Sequence, residues 1–415
     1  MAERRTALSA RIPRLSTSRW ITLLVVMLCV IGLMMVASAS SIISISYYGS
    51  PWSIAKKELI WVAFGGGAMF VMARWDYHKV ARLSPVLVVG TMALLLFVLL
   101  PGIGTTSGGS TRWIGFGPVM IQPSELMKLA LALFGAHFIA GRMEKSTSMR
   151  YTILPVAILA GVACGLVMWQ PDLGTALVLV VITITLAFSA GLPMKLMGRW
   201  LLLIVGVVTL AAVVEPYRRD RLLSFINPGA KSSEGGYQVV QSLIGLGSGG
   251  PGGLGLGHSR EKWGLLPNAH TDFIFSVIGE ELGIIGAFVI IVLVAALAIK
   301  GWKAAEQAPD RLGLLLGAAI VAWISAEAVI NIGAVLGLLP VTGIPLPFVS
   351  YGGTSMVITM AAAGILINIA RQEGAPKAIR TTRARKTAAS TAGRPAERTS
   401  ASNATRRPAG PARSR

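Results

Sequence analysis

Uninterrupted apolar runs recur along nearly the whole of this chain, and no other feature limits its fold so strongly. About twenty apolar residues in a helix, rising 1.5 Å each, cross the roughly 30 Å of hydrocarbon in a bilayer. Runs centred near Val30, Gly67, Met92, Leu131, Gly161, Ile182, Val207, Ile290, Val321 and Ala361 predict about ten transmembrane helices. The runs are continuous rather than alternating, which excludes a β-barrel. A chain of 415 residues that is 53% hydrophobic and only 13% charged is therefore expected to be all-α. It reads as one polytopic integral membrane domain over residues 20–371, flanked by basic tails at 1–19 and 372–415. The stretch from Trp20 follows arginines and ends in Ala37, Ser38 and Ala39, yet it is longer than a signal-peptide core and reads as an uncleaved first helix.

Charge sets the expected orientation. The net charge is +20, concentrated in the two tails. Short loops repeat the bias on one side: Arg74, Lys79 and Arg82; Arg142, Lys145 and Arg150; Lys195 and Arg199; Lys300, Lys303 and Arg311. This predicts cytoplasmic N- and C-termini and a large extracellular loop, residues 215–271, between helices 7 and 8. Basic segments beside membrane spans attract anionic lipid headgroups, so membrane lipids are the expected partner of the tails. Nucleic acid is not expected, because the C-terminal tail has no aromatic residue on which bases would stack. The cysteines, Cys29 and Cys164, both lie in apolar runs, and no His/Cys ligand spacing exists.

Chemistry is expected in the polar segments on the outer side. In residues 101–125 the glycines and prolines exclude a continuous helix, and Arg112 is placed to reach headgroups or phosphate. Pro123 opens the fourth helix, where Glu125 and Lys128 stand three residues apart and pair on one face, as structural glue or as part of a site. Asp172 follows a proline and suits the cap of the sixth helix. The long loop carries Arg218, Arg219 and Arg221, candidates for holding a diphosphate or for anchoring in lipid. Gln238, Gln241 and Ser242 then lead into a glycine run from Gly245 to Gly257. That run is neither a Walker loop nor a Rossmann fingerprint; it is either simple flexibility or a backbone cradle for phosphate.

The stretch from Gly257 to Gly283 joins this loop to the next apolar run and carries His270, Thr271, Asp272, Glu280 and Glu281. Acids at such depth are costly in lipid and draw attention as functional. If the helix begins near Asp272, then Asp272, Ser276, Glu280 and Gly283 share one face, with Glu280 about 12 Å deeper. Glu327 and Asn331, four apart, offer a partner stripe. Two readings of Asp272 stay open: a helix cap, or a general base at the membrane surface. His270 is a second candidate base.

Five separated motifs resemble the SEDS family (shape, elongation, division and sporulation): RWI with QPSELMK at 112–128, QPDLGTA at 170–176, GYQVVQS at 236–242 with its glycines, LPNAHTDFIFSVIGEELG at 266–283, and NIGAVLGLLPVTGIPLPFVSYGGTS at 331–355. The resemblance implies ten spans and a peptidoglycan glycosyltransferase polymerising lipid II at the outer face of the bacterial cytoplasmic membrane. Its implied partners are a class B penicillin-binding protein (an FtsI-like transpeptidase) and other division proteins. The ASASS end of the first helix and the 261–283 stretch resemble the division branch more than the elongation branch, which implies a septal location. By the same resemblance Asp272 is the catalytic residue; Arg112, Glu125, Lys128, Arg218, Arg221, Gln238, Gln241, Ser242, His270, Thr271 and Ser350 are the residues expected to bind substrate. The chain departs from the family pattern at Asn268, where Glu is common, and at Thr342, where some division members carry Lys. A divalent cation, Mg or Mn, would assist the departing diphosphate, although no ligand cluster is legible. The competing classes are a lipid II flippase or other transporter, with Glu280 and Glu327 as a relay, and a structural scaffold for division partners.

Overall fold

The computed structural model describes residues 15–107, 110–116, 119–143, 149–200 and 234–372, with single positions at 202, 206 and 225. These fall in one compact unit, Met1–Ala375. The run centred at Val207, Arg218, Arg219 and Arg221, and the C-terminal tail lie outside the described residues.

The helices are α1 (Thr17–Ala39), α2 (Ser41–Tyr48), α3 (Ser53–Arg74), α4 (Tyr77–Arg82), α5 (Ser84–Val98), α6 (Pro123–Met143), α7 (Met149–Trp169), α8 (Leu173–Ser189), α9 (Glu234–Ser248), α10 (Ile274–Glu306), α11 (Arg311–Val335) and α12 (Thr354–Arg371). Every expected run centre except Val207 falls inside one of them. Among the described residues six helices, α1, α6, α7, α10, α11 and α12, are long and apolar enough to cross a membrane, and α5 and α8 are shorter apolar helices. The helical expectation holds, with one addition. In the segment where glycines and prolines exclude a helix, β1 (Gly104–Ser107), β2 (Ser110–Phe116) and β3 (Val119–Ile121) form an antiparallel sheet in that order, with Ile114 of β2 opposite Gly104 and Ile121.

Hydropathy runs opposite to burial. The most apolar window, in α10, has mean hydropathy 3.1 and is 28% buried, whereas that of α12 has mean hydropathy 1.5 and is 83% buried. A helix facing lipid needs an apolar surface all round, while a helix enclosed by others keeps small and polar residues for packing and hydrogen bonds. So α11 and α12 form the centre, with Trp323 fully buried, and the outer face of α10 exposes Ile284, Ile285 and Phe288.

One end of the bundle gathers the basic loops. Lys300 Nζ lies 5.4 Å from the centre of the Trp20 ring, Arg371 Nη1 and Asn368 Nδ2 each donate to the Ala73 carbonyl at 3.0 Å, and Tyr77 Oη donates to Asp310 Oδ1 at 2.7 Å. The start of α1, the α3–α4 and α10–α11 connections and the end of α12 thus share one end.

The opposite end contains a broken helix. Thirty-three residues of α10 would run about 50 Å, too far for a single span. Gly283, at φ 69° and ψ −170°, interrupts it. The glycine-rich loop docks into the break: Leu254 N donates to Glu280 O at 2.9 Å, Gly255 N to Glu281 O at 3.0 Å, and Ile284 N to Gly250 O at 2.9 Å. These bonds satisfy the carbonyls and amides that a helix end orphans. A Cβ on Gly253 would overlap the Glu281 carbonyl, and one on Gly283 would overlap the Gly253 amide. At Gly249 and Gly253 the absence of a Cβ lets the loop backbone touch the helix backbone, whereas Gly250 and Gly252 meet nothing within 4 Å.

Candidate active site

Asp272 stands just before α10 rather than on it. Phe273 occupies the N-cap position of α10, so the expected four-residue stripe loses its first member. The turn that carries Asp272 is built on Asn268, at φ 58°, whose carbonyl accepts from Thr271 N and Thr271 Oγ1, both at 3.1 Å. Asparagine is one of the few residues that adopt this left-handed conformation readily, which gives the departure from Glu a local cause.

Asp272 is half-buried and framed by backbone from two directions. Its carbonyl accepts from Asn331 Nδ2 at 2.7 Å, and the same nitrogen donates to Ile344 O at 2.8 Å. Facing its side chain is Gly343, at φ 76°, where a Cβ would lie 3.5 Å from Asp272 Oδ2. The His270 ring tilts against Tyr351 at 5.8 Å between centroids, and Tyr351 N donates to His270 O at 3.1 Å. Burial pushes the His270 imidazole down to about 4, so it is neutral near pH 7 and a weaker base than expected.

Beyond the 342–344 turn lies a second polar group. Thr342 and Ile344 pack over Gly174, where a Cβ would come within 2.6 Å of Ile344 Cγ1. Asp172 caps α8 as the sequence suggests, accepting from Thr175 N at 3.1 Å and Thr175 Oγ1 at 2.8 Å, and also from Gln122 Nε2 at 3.1 Å. Arg112 donates from Nε to Gln170 O at 3.1 Å and from Nη2 to Pro171 O, with Nη1 4.0 Å from Asp172 Oδ1. It ties the sheet to the α7–α8 turn.

One turn below Asn331 on α11, about 6 Å away, Glu327 meets Lys128. Lys128 Nζ also pairs with Glu125 Oε2 at 2.6 Å, and all three side chains are buried. The predicted Glu125–Lys128 pair exists and gains a third member. Ser242 Oγ donates to Val239 O and Val335 O, both at 2.8 Å, joining α9 to α11. Ser350 Oγ accepts from Leu346 N at 2.8 Å and closes a turn. Gln238 is buried and Gln241 half-buried on α9. Arg218 and Arg221 fall outside the described residues.

The acids beside the helix break hold the loop. Glu280 accepts from Ser259 Oγ and from Arg260 N at 2.8 Å, while Glu281 accepts from Ser38 Oγ at 2.6 and 2.8 Å. Glu261, pushed up to about 7 by burial and then by the charge of Glu280, wedges between α9 and α10, where a Cβ on Gly245 would lie 2.9 Å from its Cγ. Among the described residues Glu280 and Glu327 belong to separate local clusters. Among the described residues no three His, Cys, Asp or Glu side chains converge as a metal-ligand set. Sequence reading overlooked Ser38, Ser259, Glu261 and Gly343. The ASASS run and the glycine inside a proline-rich turn were the available signals.

The chain matches the FtsW/RodA/SpoVE family, described as cell cycle proteins, over residues 19–375. It is 39% identical over 384 residues to a probable peptidoglycan glycosyltransferase FtsW of Mycobacterium tuberculosis (strain ATCC 25618 / H37Rv), covering 92% of this chain and 73% of the relative. It is also 39% identical over 353 residues to stage V sporulation protein E of Bacillus subtilis (strain 168), covering 85% and 96% respectively. Among solved structures it is similar to a chain of a peptidoglycan synthase complex that coordinates polymerization and crosslinking, with a TM-score of 0.69, 28% identity, and coverage of 86% of this chain and 98% of the other.

Proposed function

Because the chain belongs to the FtsW/RodA/SpoVE family, we propose that it is a peptidoglycan glycosyltransferase that polymerises lipid II at the outer face of the bacterial cytoplasmic membrane. Asp272 is its general base. The observation that carries this reading is the placement of Asp272: a half-buried carboxylate on an irregular turn, at the polar end of the bundle, opposite a residue without a side chain. Septal wall synthesis is the setting favoured by the FtsW relative. An FtsI-like class B penicillin-binding protein is the partner favoured by the likeness to a polymerising and crosslinking complex.

The chemistry balances on these groups. The acceptor sugar's hydroxyl oxygen forms a bond to the anomeric carbon of the donor, and the bond from that carbon to the phosphate oxygen breaks. The lipid diphosphate leaves with the electron pair, and the hydroxyl proton passes to Asp272. A positioned base of this kind contributes ~10²- to 10⁴-fold. Gly343 leaves room beside the carboxylate for the acceptor. Arg112 and one or more of Arg218, Arg219 and Arg221 are the cations proposed for the diphosphate.

The test is polymer formation from labelled lipid II by the purified full chain with its transpeptidase. Asp272→Ala is expected to lose polymer by at least ~10²-fold while remaining folded and partner-bound. Native rates from that variant would overturn the assignment, and lipid II crossing the bilayer without polymer would favour the flippase. Orientation is checked with single cysteines at two exposed sites: Trp263→Cys should react with an impermeant reagent outside cells, and Gln307→Cys should not.

A further inference from the structure

The carbonyl of Asp272 is held from outside its own helix. Ser276 N, the amide four residues on, donates instead to Phe273 O at 3.0 Å, so the Asp272 carbonyl lies outside the α10 ladder. A shielded carbonyl of an irregular segment needs a donor from elsewhere. The donor is Asn331, 59 residues away on α11 and 2% exposed.

Asn331 Nδ2 carries two protons, and both have acceptors: Asp272 O at 2.7 Å and Ile344 O at 2.8 Å. Since both partners are carbonyls, the amide orientation is fixed by chemistry; the oxygen placed there would donate nothing. Asn331 Oδ1, by contrast, is buried without a hydrogen-bond partner. The side chain therefore satisfies two backbones at the expense of its own oxygen, an arrangement that pure packing would not favour.

Those two backbones are the facing walls around the carboxylate. The 266–273 turn carries Asp272, and the 341–344 turn carries Gly343, the residue opposite Asp272 Oδ2. We infer that Asn331 is a positioning residue for the glycosyl-transfer reaction: a fork on a rigid helix that sets the gap between the Asp272 carboxylate and the Gly343 backbone. This rests on the reading of Asp272 as general base. A base displaced by about 1 Å from its proton loses ~10²-fold in rate without leaving the site, so the fork governs turnover more than substrate affinity.

Three variants separate the possibilities. Asn331→Asp keeps the shape but replaces both donors with an acceptor, Asn331→Ala removes the fork, and Asn331→Ser retains one donor on a shorter arm. Each is compared with native enzyme and Asp272→Ala as full-length chains with the partner transpeptidase in liposomes. Rates are expressed per folded molecule over a series of lipid II concentrations, and amide hydrogen exchange is followed in parallel. Asn331→Asp and Asn331→Ala are expected to lower kcat at least ~10-fold with KM held within about threefold. Exchange should quicken in residues 266–273 and 341–346 while α11 stays protected. Asn331→Ser should fall between them and remains the test if the other two do not fold. Native kcat in the variants, or lost kcat with both turns exchanging at native rates, overturns the inference. Polymerisation by Asp272→Ala would instead defeat the catalytic reading, and the exchange data would still decide whether Asn331 holds the turns.

Discussion

Where α4 and α11 begin, Asp76 and Asp310 each cap a helix and share His78 between them, at 2.8 Å to Nδ1 and 2.7 Å to Nε2. At the other end Asp272 stands outside the helix that follows it, its carbonyl accepts from a residue 59 positions away, and a helix is broken to admit a glycine loop. The first end uses carboxylates where helices want them and links the caps together. The second accepts irregular backbone and long-range supports, the construction that a reactive group needs when it must face substrate from a fixed place. The two ends are thus built differently, and substitutions at them should fail in different ways.

The largest stability effect is expected beneath the Asp272 end. Lys128 stands between Glu125 and Glu327, all at most 4% exposed as side chains. Lys128→Met leaves two buried carboxylates without their cation, and breaking a buried pair in this way costs about 3–5 kcal/mol. A large fall in the thermal midpoint of the purified chain is the expected readout. Adding Glu327→Gln should restore part of the loss, because it removes one stranded charge. Additive losses in the double variant would show that Lys128 is not paired as described.

A smaller loss is expected at the break. Gly283 sits in a backbone region open essentially to glycine alone, and a Cβ there would meet the Gly253 amide. Gly283→Ala should cost about 3 kcal/mol. Gly67→Ala, on an exposed face of α3 with nothing within 4 Å, should instead be neutral or stabilise by up to about 1 kcal/mol through helix propensity. Equal effects at the two positions would mean that the break is not a fixed feature.

The same contrast explains what the sequence disclosed. Membrane helices are legible because their apolar runs are local and continuous; Pro123 opening α6 and Asp172 capping α8 are local too, and both were read correctly. The Glu125–Lys128 pair follows from helical spacing, whereas its third partner comes from another helix 199 residues on, where spacing has no say. Asp272 was legible as a suspect by its place at a membrane boundary, but not its exclusion from the helix, which depends on Asn268 adopting a left-handed turn. Within the glycine run the close approach at Gly249 and Gly253 was not legible, because glycine marks flexibility and close approach alike and their partner is the distant break at Gly283.

The smallest effect is expected at the latched end, and it depends on pH. Burial alone would lower the His78 value, but hydrogen bonds to Asp76 and Asp310 and the charges of Asp310 and Asp76 raise it above the ordinary 6.5. The neighbouring groups are Tyr77, whose hydroxyl binds Asp310, and Lys79, which together with His78 helps hold the Asp76 value down against its burial. A histidine with a raised folded value stabilises fully below its unfolded value and loses that contribution as pH rises through the folded one. The latch is therefore complete below pH 6.5 and weakens above it. With His78 39% exposed, screening limits the contribution to ~0.2–1 kcal/mol. His78→Gln should lower the thermal midpoint slightly at pH 6 and progressively less as pH rises, leaving polymerisation at the Asp272 end unchanged. A loss that persists undiminished at high pH would make His78 a packing residue, whereas a fall in kcat would show that the two ends are coupled rather than separate.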